Sequence, residues 1–311
     1  MPLNLKYALY GIVGLLVVGT LIIGLKHFLL PGPGDRELWL RMRSWWVMAG
    51  LFILAIAVNR ELSVMFFALV SFLALKEYFS IIPTRRVDRR VLFWAYLAIP
   101  VQYLWVWQGW YGMFIIFIPV YMFLFMPLKM VIVGETQGFL KAAGTLHWGL
   151  MTTVFSLSHA AYLLALPNAA NAANTPAGGA GLLLFLVFLT QFNDVMQFVW
   201  GKLLGRIKVV PGVSPGKTLA GLLGGVATTT LLTWLLAPYF TPLTGWEPIA
   251  AGVIIGLGGF IGDVTISAVK RDIGIKDSGS LIPGHGGILD RVDSLTYSAP
   301  LFFHFVYYLH Y

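Results

Sequence analysis

The chain contains no cysteine, which excludes a disulfide framework and any zinc or iron–sulfur site with thiolate ligands. A bound metal must be held by oxygen or imidazole. Charge is also scarce. Asp, Glu, Lys and Arg together make up 11% of the 311 residues, against 58% hydrophobic residues, and the mean hydropathy is +0.81. That balance excludes an ordinary soluble domain and leaves lipid as the solvent for most of the chain. Acidic residues are the rarest, 13 against 21 Lys and Arg, for a net charge of +8. The basic residues stand in short segments between apolar runs, where membrane orientation and anionic lipid account for them, so nucleic acid is not an expected partner.

What is abundant is apolar sequence. A spanning helix needs roughly 20 mostly apolar residues, and such runs fit residues 7–30, 45–58, 61–82, 91–108, 110–128, 145–167, 180–200, 217–238, 248–269 and 295–311. The expected fold is an all-α, polytopic integral membrane protein with about ten transmembrane helices; the short second run could be re-entrant instead. The first run lacks a small-x-small cleavage site and reads as a retained span.

Alternating the loops between two sides gathers Arg36, Arg41, Arg43, Arg85, Arg86, Arg89, Arg90, Lys129, Lys141, Lys202, Arg206, Lys208, Lys217, Lys270, Arg271, Lys276 and Arg291 on one side, leaving Lys6 and Arg60 on the other. By the positive-inside rule the basic side is cytoplasmic and both termini are external, as in an inner or plasma membrane if the source is bacterial. Residues 1–144 read as an N-terminal membrane region and 145–311 as a catalytic one, because acidic and polar residues enter the spans only in the second.

Asp194 lies late in an apolar run, and an ionised carboxylate at such depth needs a partner or a metal. On a helix it shares a face with Gln197 and Gly201; a plain polar contact between helices is the simpler reading. Asp263, Ser267 and Lys270 stand at i, i+4 and i+7, with Arg271 turned about 100° away. Gly256, Gly258, Gly259 and Gly262 strip side chains from the same helix, which in a membrane permits close packing. The following loop runs Lys276-Asp277 to His285-Gly286-Gly287 and on to Asp290-Arg291-Val292-Asp293. Its glycines expose backbone N–H groups that could face an anion. The carboxylates suit magnesium, which binds through one or two protein carboxylates plus substrate phosphates. Asp263 and Asp290 fit that role, with one or two metal ions, while His285 fits hydrogen bonding at least as well.

In a second basic loop, Ser214-Pro215-Gly216-Lys217-Thr218 ends like a phosphate-binding loop. The first glycine of that motif would fall at Pro211, so a P-loop is excluded. Lys217 and Thr218 at a helix start can still bind phosphate; a basic loop with a Ser helix cap explains them equally.

From Ser267 to Asp293 the sequence SAVKRDIGIKDSGSLIPGHGGILDRVD resembles the signature of the CDP-diacylglycerol synthases (phosphatidate cytidylyltransferases), and the segments from Asp194 to Gly205 and from Ser214 to Thr218 follow the same family's order. The resemblance covers about 190–300; one departure is Gln197-Phe198, where family members often carry Ala-Tyr. It implies a membrane enzyme that joins CTP and phosphatidic acid to give CDP-diacylglycerol and pyrophosphate with magnesium on Asp263 and Asp290. Catalytic roles fall on Asp263, Lys270 and Asp290, and substrate binding on Asp194, Ser214, Lys217, Thr218, Ser267, Arg271, Lys276, His285, Gly286, Gly287 and Arg291. CTP, phosphatidic acid, membrane lipids and a second copy of the chain in a homodimer are the expected partners. The rival readings are a transferase for another lipid, and a transporter, which would show inverted repeats and midplane polar residues.

Overall fold

The computed structural model describes all residues except 33, 86–87 and 169–174. Arg86, and most of the uncharged loop after Asn168, therefore lie outside the described residues. Among those described there is no strand, and ten long helical segments run end to end. They are α1 (Leu3–Leu29), α2 (Asp35–Val58), α3 (Arg60–Ile81), α4 (Arg89–Gln108), α5 (Tyr111–Val133), α6 (139–162), α7 (Gly178–Leu204), α8 (Leu219–Phe240) and α9 (Glu247–Asp272). After the short α10 (Leu289–Val292) comes α11 (Leu295–His310). Seven of them are long and apolar enough to cross a membrane. The chain is an all-α integral membrane protein, and each of the ten expected runs coincides with a helix.

Two boundaries differ from the sequence reading. Residues 35–44 were expected as a basic loop before a short span; instead α2 begins at Asp35 and continues unbroken to Val58. Asp35 and Glu37 in its first turn complement the helix dipole, so the helix starts well before the apolar run. The helix expected from residue 217 starts at Leu219, and its cap is Thr218 rather than Ser214: the Thr218 hydroxyl accepts a hydrogen bond from Gly221 N at 3.1 Å. The division placed at residue 144 falls inside α6, whose first stretch is Phe139–Leu150.

Local chemistry ends the helices where the sequence permits. Asn59 separates α2 from α3 and accepts from Leu62 N at 2.8 Å. Gly109 closes α4 in the left-handed region, φ 67°, which glycine reaches without a Cβ clash. Within α5 the backbone widens to a π-helical stretch, Phe117–Met122, around Pro119, which has no N–H to offer the preceding turn.

Contacts between helix ends fix the alternation of the bundle. At one end Asn4 donates to Tyr239 O (2.9 Å), Arg60 to Val106 O and Trp107 O (3.1 and 2.9 Å), and His310 meets Glu247 (2.9 Å). At the other, Arg85 binds Asp88 and the carbonyls of Glu135 and Gln137, and Glu77 accepts from Ser278 in the loop before α10 and from Leu289 N at its start. Both termini lie at the first end, and the described basic residues other than Lys6 and Arg60 lie at or near the second.

The absent cysteines make this arrangement directly testable. A Gly212→Cys variant is expected to react with an impermeant maleimide only from the cytoplasmic side, and Tyr311→Cys only from the opposite side. Labelling of both from one side would overturn the alternation.

Candidate active site

Gly256, Gly258, Gly259 and Gly262 of α9 do what small residues do in membranes, letting helices meet where apolar side chains give no net drive to associate. A Cβ on Gly258 would come within 3.1 Å of Ser298 Cα on α11, one on Gly256 within 3.2 Å of Val226 Cα on α8, and one on Gly259 within 3.1 Å of Asn193 Nδ2 on α7. Asn193 also donates to Gly256 O at 3.1 Å and accepts from Thr229 at 3.3 Å. Three helices thus converge on α9 just before Asp263.

That convergence assembles the first group of site residues. Asp263 forms an ion pair with Lys217 (2.6 Å) and accepts from Ser267 (3.2 Å). Lys217 also donates to Gln197 Oε1 at 2.9 Å. Asp194 accepts twice from the Ser294 hydroxyl, at 2.9 and 3.1 Å, and Ser294 N donates to Asp293 at 2.7 Å. Burial, and then the negative charges of Asp263 and Asp194, push the Asp293 carboxyl well above the ordinary carboxylate range. Three carboxylates therefore crowd one place with Lys217 as the cation paired among them.

The second group is the loop after α9. Asp290 is its hub: Lys270 donates to one oxygen (2.7 Å), and Ser278 N and Gly287 N donate to the other (2.9 and 3.1 Å). Burial would raise this carboxyl, but the bonds from Lys270, Gly287 and Ser278 together hold it below its ordinary 3.8. Gly286 is glycine because its φ is 79° and because a Cβ there would sit 2.7 Å from Asp290 Oδ2. The two aspartates expected to share a metal are thus unlike. Asp290 is held by two backbone N–H groups as well as Lys270, Asp263 by the side chains of Lys217 and Ser267 alone, and Lys270, expected to face phosphate beside Asp263, is turned to Asp290.

At the loop is a cavity of about 580 Å³, lined by Lys276, Asp277, His285 and Arg291 and by Arg41 of α2. The side chains of Lys276 and Arg291 make no hydrogen bond or ion pair among the described residues, and Arg291 Nε is buried without a partner. Burial, then the charges of Arg291 and Arg41, lower the affinity of His285 for a proton, so its imidazole is neutral at pH 7.

The remaining expected site residues make contacts within the protein. Arg271 donates to Val213 O (3.2 Å) and Ile275 O (3.0 Å), tying α9 to the 205–218 loop. Ser214 lies in a turn, its N–H bonded to Val210 O at 2.9 Å. Gly287 packs against Glu77 and Ser278.

Glu77, on α3 in the N-terminal half, was missed by the sequence reading. Its Oε2 accepts from Leu289 N at 2.8 Å and Ser278 Oγ at 3.2 Å. Nearby, Ser44 of α2 donates to Pro283 O at 2.7 Å, and the Trp45 ring stands edge-on to His285 at 6.0 Å. A lone Glu one turn from the end of an apolar helix was the available signal, and it went unread because the partner is more than 200 residues away.

The donor chemistry fits a hard cation. No preformed group of three or more His, Asp or Glu able to hold a metal occurs among the described residues. Asp263, flanked by the repelling Asp194 and Asp293, nonetheless suits an ion that takes one or two protein carboxylates and completes its shell with substrate oxygens.

At one end the membrane bundle sets crowded carboxylates beside a cation-lined cavity. The chain belongs to the cytidylyltransferase family, whose sequence model matches residues 39–309, and is a nucleotidyltransferase. An Escherichia coli protein named uncharacterized protein YnbB is 46% identical over 98% of this chain and 99% of its own. A phosphatidate cytidylyltransferase of Synechocystis is 46% identical over 36% of this chain and 39% of its own, and one of Haemophilus influenzae 37% identical over 43% and 48%. The chain thus spans about half or less of the length of the relatives that carry an enzyme name.

Two stability measurements follow. Lys270→Ala leaves Asp290 buried without its cation and is expected to cost about 3 kcal/mol. The double variant Lys270→Ala/Asp290→Asn should recover part of that loss in thermal unfolding; strict additivity would show that the two do not act as a pair. Glu77→Ala, which strands Leu289 N–H, is expected to cost about 1–3 kcal/mol. Glu77→Gln keeps an acceptor and should cost less.

Proposed function

We propose that the chain is a phosphatidate cytidylyltransferase, transferring CMP from CTP to phosphatidic acid to give CDP-diacylglycerol and pyrophosphate at the cytoplasmic face of the membrane. The observation that carries the proposal is the joining of two unlike half-sites by the short α10. Its Asp290 organises the glycine loop, Arg291 lines the cation cavity, and Asp293 follows immediately beside Asp263 and Asp194. One half suits polyphosphate and the other a phosphate-bridging metal.

The reaction asks little covalent chemistry of the protein. A phosphatidate phosphate oxygen attacks the α-phosphorus of CTP; that P–O bond forms as the bond from the α-phosphorus to the bridging oxygen breaks, and the electron pair leaves with pyrophosphate. The nucleophile is already an anion at neutral pH, so no strong base is required, and alignment with charge neutralisation supplies the rate. Lys217, paired with Asp263 at 2.6 Å, is placed to shift onto a phosphoryl oxygen as substrate arrives, and Gln197 holds its ammonium in place. Lys276 and Arg291 receive phosphate in the cavity. His285, neutral and set against Trp45, offers a hydrogen bond without a charge. Asp290 and Lys270 shape the loop rather than touch substrate.

Bound magnesium would supply alignment and charge neutralisation, and Asp263 is the carboxylate that would hold it, assisted by Asp194 or Asp293. The convergence near one bundle end favours the transferase over a transporter, whose binding residues would gather at the midplane.

Purified protein incubated with labelled CTP, phosphatidic acid and magnesium is expected to produce labelled lipid. Asp263→Asn should lower turnover at least about 100-fold, as loss of a transition-state electrostatic contact does, at unchanged yield and monodispersity. No labelled lipid from the parent protein would refute the proposal, and near-normal turnover of the variant would refute the metal role.

A further inference from the structure

We propose that Arg41, carried by α2, is a ligand for a substrate phosphate in the cavity beneath the 276–287 loop, so that the N-terminal helices complete the site. The identity of the phosphate rests on the cytidylyl-transfer reading; the placement of the residue rests on geometry alone.

Arg41 lines the cavity together with Lys276 and Arg291. It is not a surface arginine that happens to lie near. Gly284 stands so close to α2 that a Cβ on it would meet Arg41 Cγ at 3.1 Å and Arg41 N at 3.5 Å. Ser44, one turn along, donates to the Pro283 carbonyl at 2.7 Å, and Trp45 abuts His285. Helix and loop are thus fastened to each other on the side where the guanidinium emerges.

The occupant is indicated by charge. The side chain of Arg41 bonds to Glu37, one turn earlier on the same helix, and both side chains are more than half exposed, 53% and 62%. Exposed pairs of this kind are weakly held. Neither Lys276 nor Arg291 has a side-chain partner among the described residues, and Arg291 Nε is buried without an acceptor. Three cations therefore face one cavity against the single carboxylate of Asp277, with hydrogen-bonding capacity unspent. A phosphate, to which a guanidinium can bond through two parallel N–H groups, matches that demand and would draw Arg41 from Glu37. Either the terminal phosphates of the nucleotide or the headgroup of the lipid provides this chemistry.

The test uses the full-length protein in lipid nanodiscs, with parent, Arg41→Ala and Arg41→Lys compared in binding of pyrophosphate, CTP and CMP and in KM for phosphatidic acid. Loss of one charge-assisted bond is expected to weaken the affected ligand about 10- to 100-fold. A loss for pyrophosphate and CTP but not CMP assigns Arg41 to the terminal phosphates. A raised KM for phosphatidic acid with unchanged CTP binding assigns it to the lipid headgroup. Arg41→Lys, which keeps charge without the fork, should fall between, and it serves alone if Arg41→Ala does not yield monodisperse protein. Parent-like affinity for every ligand in the variants overturns the proposal. Pyrophosphate binding that depends on Arg41, in a protein that makes no cytidylylated lipid, would keep the anion site and refute the transferase reading. A parent protein that binds none of these ligands refutes both.

Discussion

The buried pair of Lys270 with Asp290 is the contact on which the site depends. It joins the end of α9 to α10 across 20 residues at 2.7 Å, and the same carboxylate draws in the N–H groups of Ser278 and Gly287. A single carboxylate with three donors closes a loop that has almost no apolar core of its own. Breaking a buried pair leaves an unpaired charge, which is costlier than never having had the pair. The loop is therefore committed to one shape, and the cavity walls inherit it.

That closure needs something to close against. The glycines of α9 bring the backbones of α8 and α11 and the Asn193 side chain of α7 against it, because in lipid the association of helices comes from packing and interhelical hydrogen bonds. Asn193, Thr229 and the Gly256 carbonyl satisfy one another at this junction. Beyond it the helices deliver Asp194, Asp263 and Asp293 to one place. Packing in the apolar half of the bundle thus determines the crowding of like charges in the polar half.

The N-terminal helices enter as a second wall. Glu77 binds the loop from α3, and Ser44 and Trp45 meet it from α2. The hydrogen bond from Leu289 N–H to the half-buried Glu77 ties the loop's far edge to a helix with no other acidic residue near that end. Helices of the N-terminal half thus hold the segment that follows α9 in place.

The sequence by itself determined the medium and the path of the chain. Hydropathy placed ten helices, since spanning length is set by membrane thickness, and the bias of Lys and Arg arranged their ends. It also marked most polar site residues, because Asp194, Asp263 and the 276–293 segment stand out against an apolar background. Only the tertiary structure decided who pairs with whom. Lys270 and Asp263 share a helix face at i and i+7, yet Lys270 chose Asp290 and Asp263 chose Lys217, since a flexible ammonium goes to whichever carboxylate the fold sets within about 3 Å. Glu77 and Ser44 found their partners in the same way. Their partners lie more than 200 residues along the chain, and periodicity carries no information at that range; helix packing alone brings them together.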